Sequence, residues 1–416
     1  MTKADKEGQR KAPILRFKGF TDDWEQRKLQ NQVQFFSGLT YSPNDVKDVG
    51  TFVIRSSNIK DNTLVSADNV YVNPNIANSE PVKKDDVIMV VRNGSKSLIG
   101  KHALVTRKID NTVIGAFMTG IRSSTPYFLD ALLDTLNFKK EIYKNLGATI
   151  NQITIGNLRK MTFKVPNESE KFKIGNLFKK LNYLLALYER KLKLLSKTKK
   201  YFLQKLFVNG MQKHPVIRFR EFNDDWKEKK LTQLFKISNE TNLDNKLCFS
   251  KQDVLSVSDK FGVVNQIKLQ GRSFAGNNIS KYKVVRNNQI VYTKSPLKDK
   301  PYGIIKIVSN IKGIVSPLYI VNNVIGNNAW FIYYYFDLKS RTNNYLKPLV
   351  RLGAKHTMNI TDKEWLSGKI FISEVIQEQE KIANLLNMID KLIRLNEQQL
   401  SNLEELKECL LQNMFC

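Results

Sequence analysis

The feature that most constrains this chain is that it begins twice. Pro13–Leu29 reads PILRFKGFTDDWEQRKL and Pro215–Leu231 reads PVIRFREFNDDWKEKKL, with nine of seventeen positions identical across an offset of 202 residues in a chain of 416. Arg16/Arg218, Phe17/Phe219, Asp23/Asp225 and Trp24/Trp226 are among the identities. Each copy is succeeded by the same order of parts: a mixed region, then a long helical pattern. Leu-Gly-Ala stands near the end of each mixed region, at 146–148 and 352–354, and the halves finish on YFLQKLF (201–207) and CLLQNMF (409–415). A period of about 200 residues is too long for a solenoid unit and points to duplicated domains.

The helical stretches are read from spacing. Ile174, Leu177, Leu181, Leu184, Leu185, Tyr188, Leu192 and Leu195 recur at steps of three and four, and Gly175 is the only glycine between Glu168 and Phe207. The second series is Ile382, Leu385, Ile389, Leu392, Leu395, Leu403, Leu406 and Leu410, in a stretch free of Gly and Pro. Such spacing puts one apolar stripe on each helix. Forty helical residues extend about 60 Å, too far to cover the stripe against one small domain, so each helix wants a partner helix. The expected fold class is α+β: two α+β domains joined by two long helices that form an antiparallel coiled coil, with an internal pseudo-twofold repeat. The alternative, independent domains on helical linkers, leaves the long stripes without a purpose.

These borders divide the chain into a tail over 1–12, a mixed domain over 13–167, a long helix over 168–209, a second mixed domain over 215–373 and a second long helix over 374–416. Strand-like runs in the first mixed domain are Thr51–Ile54, Val87–Arg92 and Ala103–Thr106, and in the second Gln289–Thr293, Gly303–Val308 and Ala329–Tyr335. Asn93-Gly94, Asn287-Asn288 and Ser316-Pro317 mark turns between them. Trp24 and Trp226 read as anchors for the start of each domain, with Phe17, Phe20 and Leu29 (Phe219, Phe222 and Leu231) as apolar company and Asp22-Asp23 as a helix N-cap. Between the shared borders the interiors diverge. A residue repeated in both copies is a poor candidate for reading two different things.

Lys and Arg number 67 against 39 acidic residues, a net charge of +28. An excess of that size attracts polyanions, with nucleic acid as the leading partner and an anionic membrane surface second. No window is apolar enough for a membrane helix, and the charged start MTKADKEGQRK is not expected to be a secretory signal, so a cytoplasmic protein is expected. Cys248, Cys409 and Cys416, and His102, His214 and His356, are scattered, so neither a disulfide framework nor a metal site is expected. Catalytic motifs are missing from the sequence. The nearest approach to a phosphate-binding loop, Gly94 to His102, has one residue too many and His where Ser or Thr must reach magnesium. Neither an Asn-Pro-Pro-aromatic nor an Asp-Pro-Pro-Tyr motif of an amino-methyltransferase occurs. No catalytic residue is assigned.

The twice-written phrase, each copy followed by a variable domain and a long helix, resembles the DNA specificity subunit of Type I restriction–modification systems. FVIRSSNIKDN (52–62), MVVRNGSKSLIGKHALV (89–105), NQITIGNLRKM (151–161) and IVYTKSPLKDKPYGIIKIV (290–308) extend the likeness over nearly the whole chain. The resemblance implies that each variable domain is a target-recognition domain for one half of a split site in double-stranded DNA. It implies paired helices that fix the spacer and dock two modification (methyltransferase) subunits. Adenine methylation with S-adenosylmethionine would belong to those subunits, and cleavage with ATP and Mg to further restriction (helicase-nuclease) subunits. This chain would hold no cofactor. A specificity subunit of a related Type II-like methyltransferase or nuclease, a self-sufficient enzyme carrying these domains, and a non-enzymatic nucleic-acid-binding scaffold stay open as rivals.

Arg suits guanine, Asn and Gln suit adenine, and Lys, Ser and Thr often hold phosphate. In the first domain the candidates are Arg55, Ser56, Ser57 and Asn58 after one strand, with Arg92, Asn93, Ser95, Lys96 and Lys101 in a second loop. In the second they are Ser256, Ser258, Thr293, Lys294, Ser295 and Lys298, with Lys355 and His356 after Leu-Gly-Ala.

Overall fold

The computed structural model describes residues 12–146, 151–210, 212–243, 249–296, 300–352 and 358–416. It divides into two compact units, Met1–Glu189 with Gln398–Cys416, and Arg190–Glu397.

In the first unit the opening phrase becomes β1 (Glu25–Lys28), followed by β2 (Gln34–Ser37), β3 (Thr51–Ile54), β4 (Val70–Val72), β5 (Val87–Val90), β6 (His102–Leu104), β7 (Thr112–Ile114) and β8 (Met118–Arg122). Helices α1 (Pro126–Asp134) and α2 (Leu136–Lys144), strand β9 (Thr162–Val165) and the long α3 (Glu168–Lys205) complete the sequence. One antiparallel sheet has the order β2-β8-β5-β6. In a second sheet β3 lies between β7, parallel to it, and β4, antiparallel. The VIMV run of β5 is buried at every position, as an uninterrupted apolar strand covered on both faces should be.

Strand β1 pairs antiparallel with β9, so the phrase is tied to the residues just before α3. Asp22-Asp23 therefore precede a strand and cap no helix. The cap of α3 is Asn167, whose Oδ1 accepts the backbone N–H of Glu170 at 3.0 Å.

The second unit repeats this plan with β10 (Lys227–Lys230), β11 (Phe235–Ile237), β12 (Leu255–Ser258), β13 (Gly262–Asn265), β14 (Lys283–Val285), β15 (Ile290–Tyr292), β16 (Ile305–Ile307), β17 (Gly313–Val315), β18 (Ile320–Val324), α4 (Ala329–Asp337), α5 (Lys339–Leu346), β19 (Lys369–Ile372) and α6 (Ile376–Asn413). The order β11-β18-β15-β16 matches the first unit's main sheet strand for strand, and β10 pairs with β19 as β1 does with β9. The interiors thus share a sheet, and their divergence lies in the strands and loops attached to it. The run 329–335, expected as a strand, is helix α4. Asn328 Oδ1 accepts the N–H of Phe331 at 3.0 Å and closes its first turn, and Phe331, Ile332, Tyr333, Tyr334 and Phe336 are all buried. A helix buried on most sides shows no amphipathic period, so its short aromatic run reads like a strand.

Each unit is completed by the tail of the other half's helix. In the first, Trp24 meets Phe128 of α1 and Phe415 edge-on at 6.5 and 6.2 Å between centroids, with Phe128 and Phe415 5.5 Å apart. In the second, Trp226, Phe331 and Phe207 repeat the triad at 5.5, 6.2 and 5.2 Å. Phe415 and Phe207 each stand two residues beyond their helix. Backbone bonds repeat as well: Leu15 N–H donates to Asn413 O at 2.9 Å, and Ile217 N–H to Lys205 O at 3.0 Å. Within each unit the start of one long helix therefore lies beside the end of the other, antiparallel to it. Gly175 brings a different pair of helices together closely: a Cβ there would sit 2.8 Å from the Phe128 nitrogen, so α1 abuts the bare backbone of α3. The stripe is only partly covered, since Leu184, Leu392, Leu395 and Leu406 stay more than a third exposed. Among the described residues no helix is long and apolar enough to cross a membrane.

Candidate nucleic-acid interface

In the first unit β3 ends at Ile54, Arg55 follows it, and Ser56–Asn58 turn tightly after that. Asn58 is not available to a ligand. It is 1% exposed, its Oδ1 accepts the Arg55 N–H at 2.9 Å, and its Nδ2 donates to Ala67 O at 2.6 Å. It is a staple inside the loop, a correction to its place among the candidates. Arg55 donates from Nη2 to Asp68 O at 2.5 Å, while its buried Nε finds no partner among the described residues. Ser57 is exposed.

The second loop leaves β5 with Arg92 exposed and its guanidinium carbon 5.0 Å from the centre of the Phe117 ring. Asn93 Nδ2 donates to Ser56 Oγ at 3.1 Å, joining the two loops. Asn93 Oδ1 accepts the Ser95 N–H at 3.0 Å, and Ser95 and Ser97 hydroxyls lie 2.9 Å apart. Asn151 Nδ2 donates to Gly94 O at 2.9 Å, and Arg92 bridges Gln152 through the backbone. Lys96 and Lys101 are exposed. Candidates from two separate stretches of sequence thus form one polar, cationic rim. Sequence reasoning missed Phe117, 52% exposed. Asn151 and Gln152 open the phrase NQITIGNLRKM, already marked by its likeness, and that signal could have placed them in the rim.

The second unit arranges its candidates differently. Ser256 Oγ accepts from Gln266 Nε2 at 3.0 Å, and Ser258 Oγ accepts the Phe261 N–H at 3.2 Å, so both serines shape the β12–β13 hairpin. At its turn Asp259 receives Lys300 at 2.5 Å and Lys306 at 3.4 Å. Burial works to raise the Asp259 carboxyl, and the two ammoniums outweigh it and hold it below the usual carboxylate range. Thr293, 1% exposed, is also withdrawn: its Oγ1 accepts the Ile304 N–H at 3.1 Å inside the sheet. Lys294 lies 3.8 Å from Asp362 and Ser295 is exposed. Lys298, Lys355 and His356 lie outside the described residues, as does most of each Leu-Gly-Ala. Two further aromatic–cation pairs were not foreseen, Lys260 over Phe261 at 5.2 Å and Arg272 over Phe274 at 4.7 Å, both rings more than half exposed.

Two α+β units of one plan, bordered by repeated anchors and differing in their exposed polar loops, make the fold of a Type I restriction–modification specificity subunit. The chain matches the crystal structure of such an S subunit from M. genitalium with a TM-score of 0.63, at 14% identity, over 97% of this chain and 99% of that one. Residues 21–197 match the family model of the Type I restriction modification DNA specificity domain. A putative type I restriction enzyme MjaX specificity subunit from Methanocaldococcus jannaschii is 25% identical over 93% of this chain and 91% of its own length. The type I restriction enzyme StySPI specificity subunit from Salmonella potsdam is 24% identical over 40% of this chain and 37% of its own. The chain is thus similar to Type I restriction–modification specificity subunits over most of its length, and it shares the fold of one.

Proposed function

We propose that the two loop sets read the two halves of a bipartite site in double-stranded DNA, residues 13–167 one half and residues 215–373 the other. The observation that carries this reading is the contrast within each unit: equivalent anchoring around the Trp–Phe–Phe triad, and dissimilar exposed loops. In the first unit Arg92, Arg55 and Asn93 are the residues suited to base edges, and Lys96, Lys101, Ser57 and Ser95 to phosphates. In the second, Lys260, Arg272, Lys294 and Ser295 take those places. Buried Asn58 and Thr293 shape the loops that carry the readers. The net charge of +28 supplies the sequence-independent attraction.

The long helices fix the spacer between the halves, because surfaces meeting one face of a duplex must lie about 34 Å, one helical turn, or a multiple apart. The part-exposed Leu184, Leu392, Leu395 and Leu406 offer apolar surface for two modification subunits. Adenine methylation with S-adenosylmethionine belongs to those partners, and ATP- and Mg-dependent cleavage to restriction subunits, in the cytoplasm. The test is a domain exchange. Replacing residues 13–167 by the equivalent domain of a subunit with another target should change one methylated half-site and leave the other and the spacer. A change in both halves, or in neither, refutes the division.

A further inference from the structure

His102 is 3% exposed at the start of β6, and it is surrounded by charge. Its Nδ1 lies 3.2 Å from Gly100 O. A carbonyl only accepts, so Nδ1 carries a hydrogen, and a neutral ring turns a bare Nε2 lone pair outward. That Nε2 lies 3.6 Å from Asp130 Oδ1 and 3.6 Å from Asp134 Oδ1, both on α1. Nε2 and Asp130 Oδ1 are buried without a hydrogen-bond partner among the described residues. Three acceptors facing one another repel, and an unpartnered buried polar group is costly. One added proton, on Nε2 or on the Asp130 oxygen, turns the pair into donor and acceptor.

The rest of the cluster reaches the end of α6. Lys407 Nζ pairs with Asp134 Oδ2 at 2.8 Å, Asn62 Nδ2 donates to Asp134 Oδ1 at 2.5 Å, and Asn182 Nδ2 donates to Asp130 Oδ2 at 3.3 Å. Two carboxylates and one lysine leave one negative charge, which the extra proton cancels.

The second unit builds the same place from other residues. Lys199 and Lys407 are both the thirty-second residue of their long helices, Asp390 and Asn182 both the fifteenth. Asp337 and Asp134 both end their short helices, with Tyr333 at the fifth position where the first unit has Asp130. Lys199 lies 2.7 Å from both Asp337 and Asp390, and Lys306 of β16 lies 3.7 Å from Asp337. Tyr333 and Tyr334 hydroxyls donate to Asp337 at 3.1 Å and Asp390 at 2.8 Å. Lys306 also lies 3.4 Å from Asp259, which has Lys300 at 2.5 Å, so three carboxylates meet three lysines and charge balances with no shared proton.

We infer that His102 and Asp130 share one proton that fastens β6 and α1 to the end of α6, acting as positioning residues for the first unit's loops, and that the second unit's equivalent joint is held by balanced charge without a shared proton. This goes beyond the reading of DNA and is tested without it. Burial pushes the Asp130 carboxyl up to about 6, with His102 and Lys407 opposing and Asp134 reinforcing the rise. Its folded value lies above the unfolded one of about 3.9, so the stability it contributes is full below that value and is lost as pH rises through 6.

The experiment is chemical denaturation of the full chain at pH 5 and pH 8. Wild type should lose about tenfold more in its folded-to-unfolded ratio over that interval than Asp130→Asn, whose amide donates to Nε2 at every pH. His102→Gln, which supplies a permanent N–H, should flatten the profile similarly, and Lys306→His should steepen it by bringing a titrating group to the second joint. Equal losses in wild type and Asp130→Asn overturn the inference, as does a Lys306→His profile no steeper than wild type.

Discussion

Arg16 grips Glu170 through two hydrogen bonds, 2.7 Å from Nε and 2.8 Å from Nη2, and Arg218 grips Glu378 at 2.7 and 2.9 Å. Glu170 and Glu378 are each the third residue of a long helix and wholly buried. The repeated phrase is thus a clamp that ties the start of each domain to its own helix. Replacing either arginine by alanine strands a buried carboxylate and should cost ~3–5 kcal/mol, measurable as a lower denaturation midpoint. Lysine should rescue only part, since it cannot make the two-pronged contact.

Phe415 and Phe207 should matter to the unit in which they are buried, and not to the one that precedes them in sequence. Phe207→Ala should leave a cavity in the second unit and destabilise it by ~3–5 kcal/mol, with Phe415→Ala doing the same to the first. Hydrogen exchange resolved by peptide would locate the loss around Trp226 and Trp24 respectively.

Gly175 faces the nitrogen of Phe128, and the eighth helical position it occupies holds buried Ala383 in the other helix. An alanine at 175 gains helix propensity of about 1 kcal/mol but must push α1 away. The clash should win, giving a net loss of ~1–2 kcal/mol in thermal or chemical unfolding.

On the rim, Arg92→Ala should weaken binding to the first half-site by ~1–3 kcal/mol and relax its sequence, leaving the second half-site as it was. Phe117→Ala should produce a smaller loss of the same kind by freeing the Arg92 side chain. Lys96→Ala should lower affinity across sequences and reduce the salt slope by about one. Binding assays with duplexes altered in one half at a time, at several salt concentrations, separate the three.

Four residues inserted after Lys197, within α3, should lengthen the spacer of the methylated site and leave both half-sites unchanged. Sequencing of methylated sites checks this, and an unchanged spacer removes the helix from its role as a ruler.

The duplication and the long helices were legible because both are linear properties: repeated words, and a period of three and four. Tertiary placement was not. Nothing in CLLQNMF says that its Phe415 packs against Trp24, 391 residues earlier, since such closure depends on the other helix. Burial hid α4 behind an aromatic run that lacked a polar face. For the candidate site, residue type and loop position picked Arg55, Arg92, Asn93 and Lys96 as candidates, in two loops that the fold joins through Asn93 and Ser56. The same criteria also chose Asn58 and Thr293, because a side chain suited to bond a base is equally suited to bond a backbone. Phe117, an aromatic beneath a cation, had no local signal.

The most direct measurement is methylome sequencing of cells expressing this chain with the proposed modification subunit. The account predicts an adenine-methylated site with two dissimilar halves separated by a fixed, unspecified spacer. A single uninterrupted motif, or two identical halves, would contradict it.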